Sequence, residues 1–107
     1  MSPAQKSRRE VLEQFVAAKP ADAFARYGLA LECAKLGDDA AAVAHFRTLL
    51  ETNSEYVAAY FQFAQLLGRL GRIDEARKLL SDGILVAQRT GDLHARDEMQ
   101  GVLNSLR

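Results

Sequence analysis

The sequence predicts an all-α protein, a stack of antiparallel helical hairpins. Three observations predict it. Apolar residues recur at helical spacing in six successive segments, separated by Gly, Pro or Asn-Ser. The stretch Leu36-Gly37-Asp38-Asp39-Ala40-Ala41-Ala42 returns as Leu70-Gly71-Arg72-Ile73-Asp74-Glu75-Ala76, so Leu, Gly and the final Ala share one offset of 34 residues. The strong helix formers Ala, Leu, Arg and Glu are plentiful, and the two prolines, Pro3 and Pro20, both lie early.

The first segment, Met1 to Ala18, reads as a helix with Ser2 as N-cap and Pro3 at its first position. Val11, Leu12, Phe15 and Val16 form its apolar stripe, and Lys19-Pro20 ends it. Residues 21 to 36 predict a second helix with two apolar faces, one through Phe24, Tyr27 and Leu31, the other through Leu29, Ala30 and Cys33. Gly37 suits the left-handed position after its end, and Asp38 or Asp39 favours the start of the next helix. The third helix, 39 to 52, turns Ala42, Val43, Phe46, Leu49 and Leu50 inward. Ser54 is the expected N-cap of the fourth, 55 to 70, where Val57, Tyr60, Phe61, Phe63, Ala64 and Leu67 again cover more than one face. The fifth, 73 to 89, packs through Ala76, Leu79, Leu80, Gly83, Ile84 and Ala87. Gly91-Asp92 then opens the sixth, 93 to 106, whose narrow stripe is Met99, Val102, Leu103 and Leu106. Gly101 inside that helix either permits a close contact or marks fraying.

Composition excludes several functions. The 107 residues suit one domain with a real core. Fourteen basic and fourteen acidic side chains cancel, which argues against a nucleic-acid partner. Lys6, Arg8 and Arg9 form a short basic run, followed by Glu10 and Glu13, and read as a solvated face. Cys33 is the only cysteine, which fits a reducing compartment. No apolar run approaches membrane-spanning length, and no secretory h-region opens the chain, so the expected location is cytoplasmic with no membrane partner.

Sliding the chain by 34 sets Tyr27 on Phe61, Leu29 on Phe63, Ala30 on Ala64, Cys33 on Leu67 and Phe46 on Leu80. Extended backwards, Leu12 falls on Phe46, Phe15 on Leu49 and Val16 on Leu50, so the first helix reads as the second half of a truncated repeat. Arg8 breaks that match, because it falls on Ala42. A 34-residue period of helical hairpins means a solenoid.

The pattern resembles the tetratricopeptide repeat family. Counting from Ala23, the first repeat has Leu29, Ala30, Cys33, Ala42 and Phe46 at repeat positions 7, 8, 11, 20 and 24. Counting from Val57, the second has Tyr60, Phe63, Ala64, Leu67, Ala76, Leu80 and Gly83 at 4, 7, 8, 11, 20, 24 and 27. In the first repeat Arg26 at position 4, Leu49 at 27 and Ser54 at 32 depart from it, and in the second Gln88 at 32. The resemblance implies a right-handed stack: a half-repeat helix at 1–19, repeats at 23–56 and 57–90, and a capping helix at 91–107.

The resemblance also implies a concave groove lined by the first helix of each hairpin. Its partner-facing positions carry Phe24, Tyr27, Leu31, Ala34 and Lys35, then Ala58, Phe61, Gln65, Gly68 and Arg69. The form of this fold that clamps a terminal carboxylate presents Lys and Asn where Tyr27, Leu31, Phe61 and Gln65 stand, so no such clamp is expected. A largely apolar lining with basic edges suits a peptide or amphipathic helix of a partner protein. In a competing reading the groove is filled from within, Met99 and Leu103 lying against Tyr27 and Phe61.

The expected function is a non-catalytic interaction module or adaptor. The alternative is a self-associating building block, a homodimer through the apolar helix faces exposed at either end, which the open stripe from Val11 to Val16 supports. No cofactor or metal is expected. His94 and Glu98 are four apart on one helical face, but two ligands are too few for a metal. No glycine loop suits a phosphate, and neither histidine has a nucleophile in an interpretable arrangement. His45 reads as a surface residue, and Cys33 as a small core hydrophobe.

Overall fold

In the computed structural model, residues 6–106 are described, and they form six α-helices. These are α1 (Arg8–Ala18), α2 (Ala23–Lys35), α3 (Asp39–Thr52), α4 (Val57–Arg69), α5 (Ile73–Thr90) and α6 (Leu93–Ser105). There is no strand among the described residues. They gather into two compact units, one ending at Thr52 and the other beginning at Asn53.

In the first unit α2 packs between α1 and α3. Its core is Leu29, Ala30 and Cys33 on one side and Ala42, Phe46 and Leu49 on the other, each no more than 1% exposed. Cys33 is a core residue, as the sequence indicates, and burial pushes its thiol pKa up. In the second unit α5 packs between α4 and α6, around Phe63, Ala64, Leu67, Ala76, Leu80 and Met99. Met99 and Tyr60 both come up against Gly83 there.

The recurring glycines end helices in the same way. Gly37, Gly71 and Gly91 have φ of 83°, 79° and 80°. The Gly37 N–H donates to the Ala34 carbonyl, and the next N–H, of Asp38, reaches back to Cys33. Gly71 and Arg72 repeat this pair of bonds with Gly68 and Leu67, as do Gly91 and Asp92 with Gln88 and Ala87. Asp38 then caps α3, accepting from the Ala41 N–H at 3.2 Å, and Asp92 caps α6 through Ala95 at 3.1 Å.

Three expected starts are corrected. Helix α1 begins at Arg8, where Ser7 and Glu10 form a reciprocal capping box; the Ser2 and Pro3 positions lie outside the described residues. Helix α2 begins at Ala23, capped by Asp22, and not at 21. Helix α4 begins at Val57 without a side-chain cap, so Ser54 is not its N-cap. The Ser54 carbonyl instead accepts the Tyr60 hydroxyl at 2.7 Å. The Arg26 guanidinium donates to the Pro20 carbonyl at 3.3 Å, and Pro20 and Ser54 are 34 residues apart. Repeat position 4 therefore satisfies the same loop carbonyl in both units, by a phenol in one and a guanidinium in the other.

Arg8 also has its reason. It stands at the first residue of α1, with its side chain 75% exposed, and its Nε lies 3.5 Å from the Glu32 carboxylate. Glu32 is itself buried in the face of α2, where the second unit has the buried Leu66. Gly101 has no atom within 4 Å of the place its Cβ would take, so it serves no close contact. Gly101→Ala is expected to stabilise the chain by about 0.5–1 kcal/mol, seen as a raised melting midpoint.

Candidate functional site

The residues expected to face a partner run from the first turn to the last of α2 and of α4, each unit being considered by itself. On α2, Phe24 is 77% exposed, Tyr27 and Leu31 are half-buried, and Lys35 is exposed in the last turn. Tyr27 is held edge-on to Phe46, with ring centroids 6.4 Å apart at 67°. On α4, Phe61 is half-buried, and Gln65 and Arg69 are exposed. Ala34 and Gly68 are half-buried, and Ala58 is exposed. The small residues keep the helix surface low between the larger side chains. Lys35 and Arg69 also lie at helix C-termini, where a positive charge complements the helix dipole.

Sequence reasoning missed a second feature of the first unit. Helices α1 and α2 enclose an open cleft of about 300 Å³, lined by Arg8, Leu12 and Phe15 on one side and Asp22, Phe24, Ala25 and Gly28 on the other. The apolar stripe expected on α1 is only partly covered: Val16 is 8% exposed, but Phe15 is 46% and Val11 51%. The signal was available, since Leu12 and Phe15 fall on Phe46 and Leu49 at the offset of 34, and those two are fully buried. Phe24, one of the residues expected to face a partner, also lines this cleft.

His45 is corrected from a surface residue to a half-buried one. Its Nδ1 lies 3.2 Å from an Arg26 Nη. Burial, then the Arg26 charge, holds its pKa below the usual imidazole range. Glu13 and Asp38 oppose that shift, and Arg9 adds to it. A base whose folded pKa is depressed gives stability that is present above its unfolded pKa and lost as pH falls through the folded value. The melting midpoint is therefore expected to fall as pH drops below about 6.5. His45→Gln, which keeps an acceptor for Arg26, should flatten that fall in melts run across this range. Asp38 acts at lower pH. The Ala41 N–H, then Arg9 at 2.9 Å, holds its carboxyl below the usual carboxylate range.

His94 Nε2 and Glu98 Oε1 lie 3.2 Å apart as an exposed pair along α6. Among the described residues, no three His, Cys, Asp or Glu side chains gather where a metal ion could be held. No described helix is long and apolar enough to cross a membrane.

No curated protein matches the chain. A tetratricopeptide repeat domain protein from Salinibacter ruber, solved in solution, is 36% identical over 81% of this chain and 88% of its own, with a TM-score of 0.78. Protein BPP2914 from Bordetella parapertussis is 26% identical over 94% of this chain and 88% of its own, with a TM-score of 0.81. The MamA protein, at 21% identity, shares the fold: a TM-score of 0.72 over 91% of this chain and 55% of its own. The family model for the tetratricopeptide repeat matches residues 34–95. Its span takes in the Gly37 and Gly71 turns and the buried Ala42, Ala64 and Ala76. The chain belongs to the tetratricopeptide repeat family.

Proposed function

We propose that the chain is a non-catalytic binding module, and that α2 and α4, each within its own unit, contact partner protein through Phe24, Tyr27, Leu31 and Lys35 and through Phe61, Gln65 and Arg69. Repeats of this family generally serve as protein-interaction modules. The observation that carries the reading is Phe24. A phenylalanine 77% exposed in mid-domain gains nothing for the lone chain, and it stands beside Tyr27, Leu31 and Lys35 on one helix. The preferred segment has apolar anchors for the rings and an acidic residue for Lys35 or Arg69. Within this reading, repeats at 23–56 and 57–90 supply one such helix each.

The exposure of Phe24 makes the test clean. Phe24→Glu should leave the melting midpoint within about 0.5 kcal/mol of the parent. It should abolish capture of a partner from the native host. Leu85→Glu, at another exposed apolar site on α5, should keep that capture. Equal capture by all three proteins would remove α2 from the binding surface.

A further inference from the structure

Arg26 holds two groups at once. One Nη donates to the Pro20 carbonyl at 3.3 Å, in the loop between α1 and α2. The other lies 3.2 Å from Nδ1 of His45, on α3. A guanidinium only donates, so this bond needs the lone pair on Nδ1, and therefore a neutral ring with its proton on Nε2. The second unit makes the loop contact without a charge. There the Tyr60 hydroxyl donates to the Ser54 carbonyl, and Leu79 stands 34 residues on from His45. A phenol and a leucine thus occupy the places that a guanidinium and an imidazole take in the first unit.

A proton on Nδ1 removes the acceptor and sets a second cation against Arg26. The surroundings of the ring do not absorb that charge. Arg26 faces it from α2, Arg9 and Glu13 from α1, and Asp38 from the turn before α3. Glu13 and Asp38 are already engaged by Arg9, at 3.3 and 2.9 Å. Of the three helices in this unit, α1 has the fewest buried side chains. Among its described residues only Val16 is buried, against Leu29, Ala30 and Cys33 on α2 and Ala42, Phe46 and Leu49 on α3. Val16 lies four residues before Pro20, so the single apolar anchor of α1 and the Arg26 tether act at the same end of the helix.

We propose that Arg26 and His45 form an acid-released catch on the α1–α2 loop: protonation of the ring turns Arg26 off the Pro20 carbonyl, and the loop end of α1 lifts from α2 while α2 and α3 stay paired. The cleft between α1 and α2 then widens at its Phe15 and Asp22 end, next to the loop. The lifted form binds the proton more tightly, because burial and the Arg26 charge hold the ring's pKa down only while the catch is closed. Lifting therefore grows as pH falls below about 6.5, and levels off below the folded value.

Amide exchange in the full chain tests this, read by NMR at about pH 7.5 and about pH 5 as protection factors, which removes the intrinsic pH dependence of exchange. The Lys19 and Asp22 N–H groups donate to the Phe15 and Lys19 carbonyls and report on the loop. Their protection should fall several-fold at the lower pH. In dilute urea that fall should stay the same, because a local opening exposes little surface, while protection in α3 drops with urea as global unfolding does. The His45 ring should titrate with the same midpoint as the loop amides. His45→Gln should remove the acid response, and His94→Gln, in the other unit, should keep it. Arg26→Met should leave the loop weakly protected at both pH values. Loop protection that is equal at the two pH values would overturn the proposal. So would a loss at Lys19 and Asp22 that follows α3 in its urea dependence, a His45→Gln chain that still responds, or an Arg26→Met chain as well protected as the parent at the higher pH.

Discussion

Gly83→Ala is expected to destabilise the chain, although it places a better helix former inside a helix. A Cβ at this position would lie 2.7 Å from Met99 Sδ and 2.7 Å from Tyr60 Cβ. The sulfur sits on a flexible side chain and can swing aside. Tyr60 Cβ cannot, since it is bonded to the backbone of α4 and its ring is anchored by the hydroxyl bond to the Ser54 carbonyl. Relief therefore requires α4 and α5 to separate, which loosens the core that buries Leu67 and Leu80. Overpacking of this kind costs about 1–3 kcal/mol, against a propensity gain of about 1 kcal/mol. The net loss should lower the melting midpoint by several degrees, at roughly 4–8 °C per kcal/mol for a domain of this size. Gly101→Ala, with the same propensity gain and nothing to strike, should move the midpoint the other way. A Gly83→Ala midpoint at or above the parent's would show that the two helices can part without loss.

The same contact shows what the sequence could disclose. The period, the glycine turns and the small core residues were legible because each follows from local chemistry. A left-handed φ selects Gly at 37 and 71, and close helix approach selects Ala at 42, 64 and 76. Gly83 and Leu49 occupy equivalent positions, but nothing local says that a tyrosine fills the space in one unit while an arginine spans it in the other. His45 reads as a surface residue for that reason: it looks polar and exposed alone, and it meets Arg26 only when α2 and α3 are packed. Ser54 reads as a cap because Ser favours that place, but its carbonyl, and not its hydroxyl, is what the fold uses. The residues proposed to face a partner are legible only as positions in a repeat. Their exposure depends on packing, and Phe24 proves far more open than Tyr27 or Phe61.

Phe46→Ala should produce the largest loss of stability among the substitutions considered. Phe46 is 1% exposed, in the hairpin of α2 and α3, and its removal leaves a ring-sized cavity. Such truncations cost about 3–5 kcal/mol, a large part of the 5–15 kcal/mol that holds a typical domain together. The variant should melt far below the parent or lack a cooperative transition. Phe46→Leu separates stability from support of the site. The second unit already uses leucine at this place, Leu80, fully buried, so the smaller side chain fits the hairpin with a modest loss. What it removes is the edge-to-face partner of Tyr27, a contact worth about 0.5–1.5 kcal/mol beyond its buried area. If Tyr27 binds a partner in the orientation Phe46 gives it, Phe46→Leu should weaken capture while the chain remains folded at the assay temperature. Full capture by that variant would make Tyr27 a core residue whose outward edge is incidental, and would leave Phe24 to carry the α2 surface.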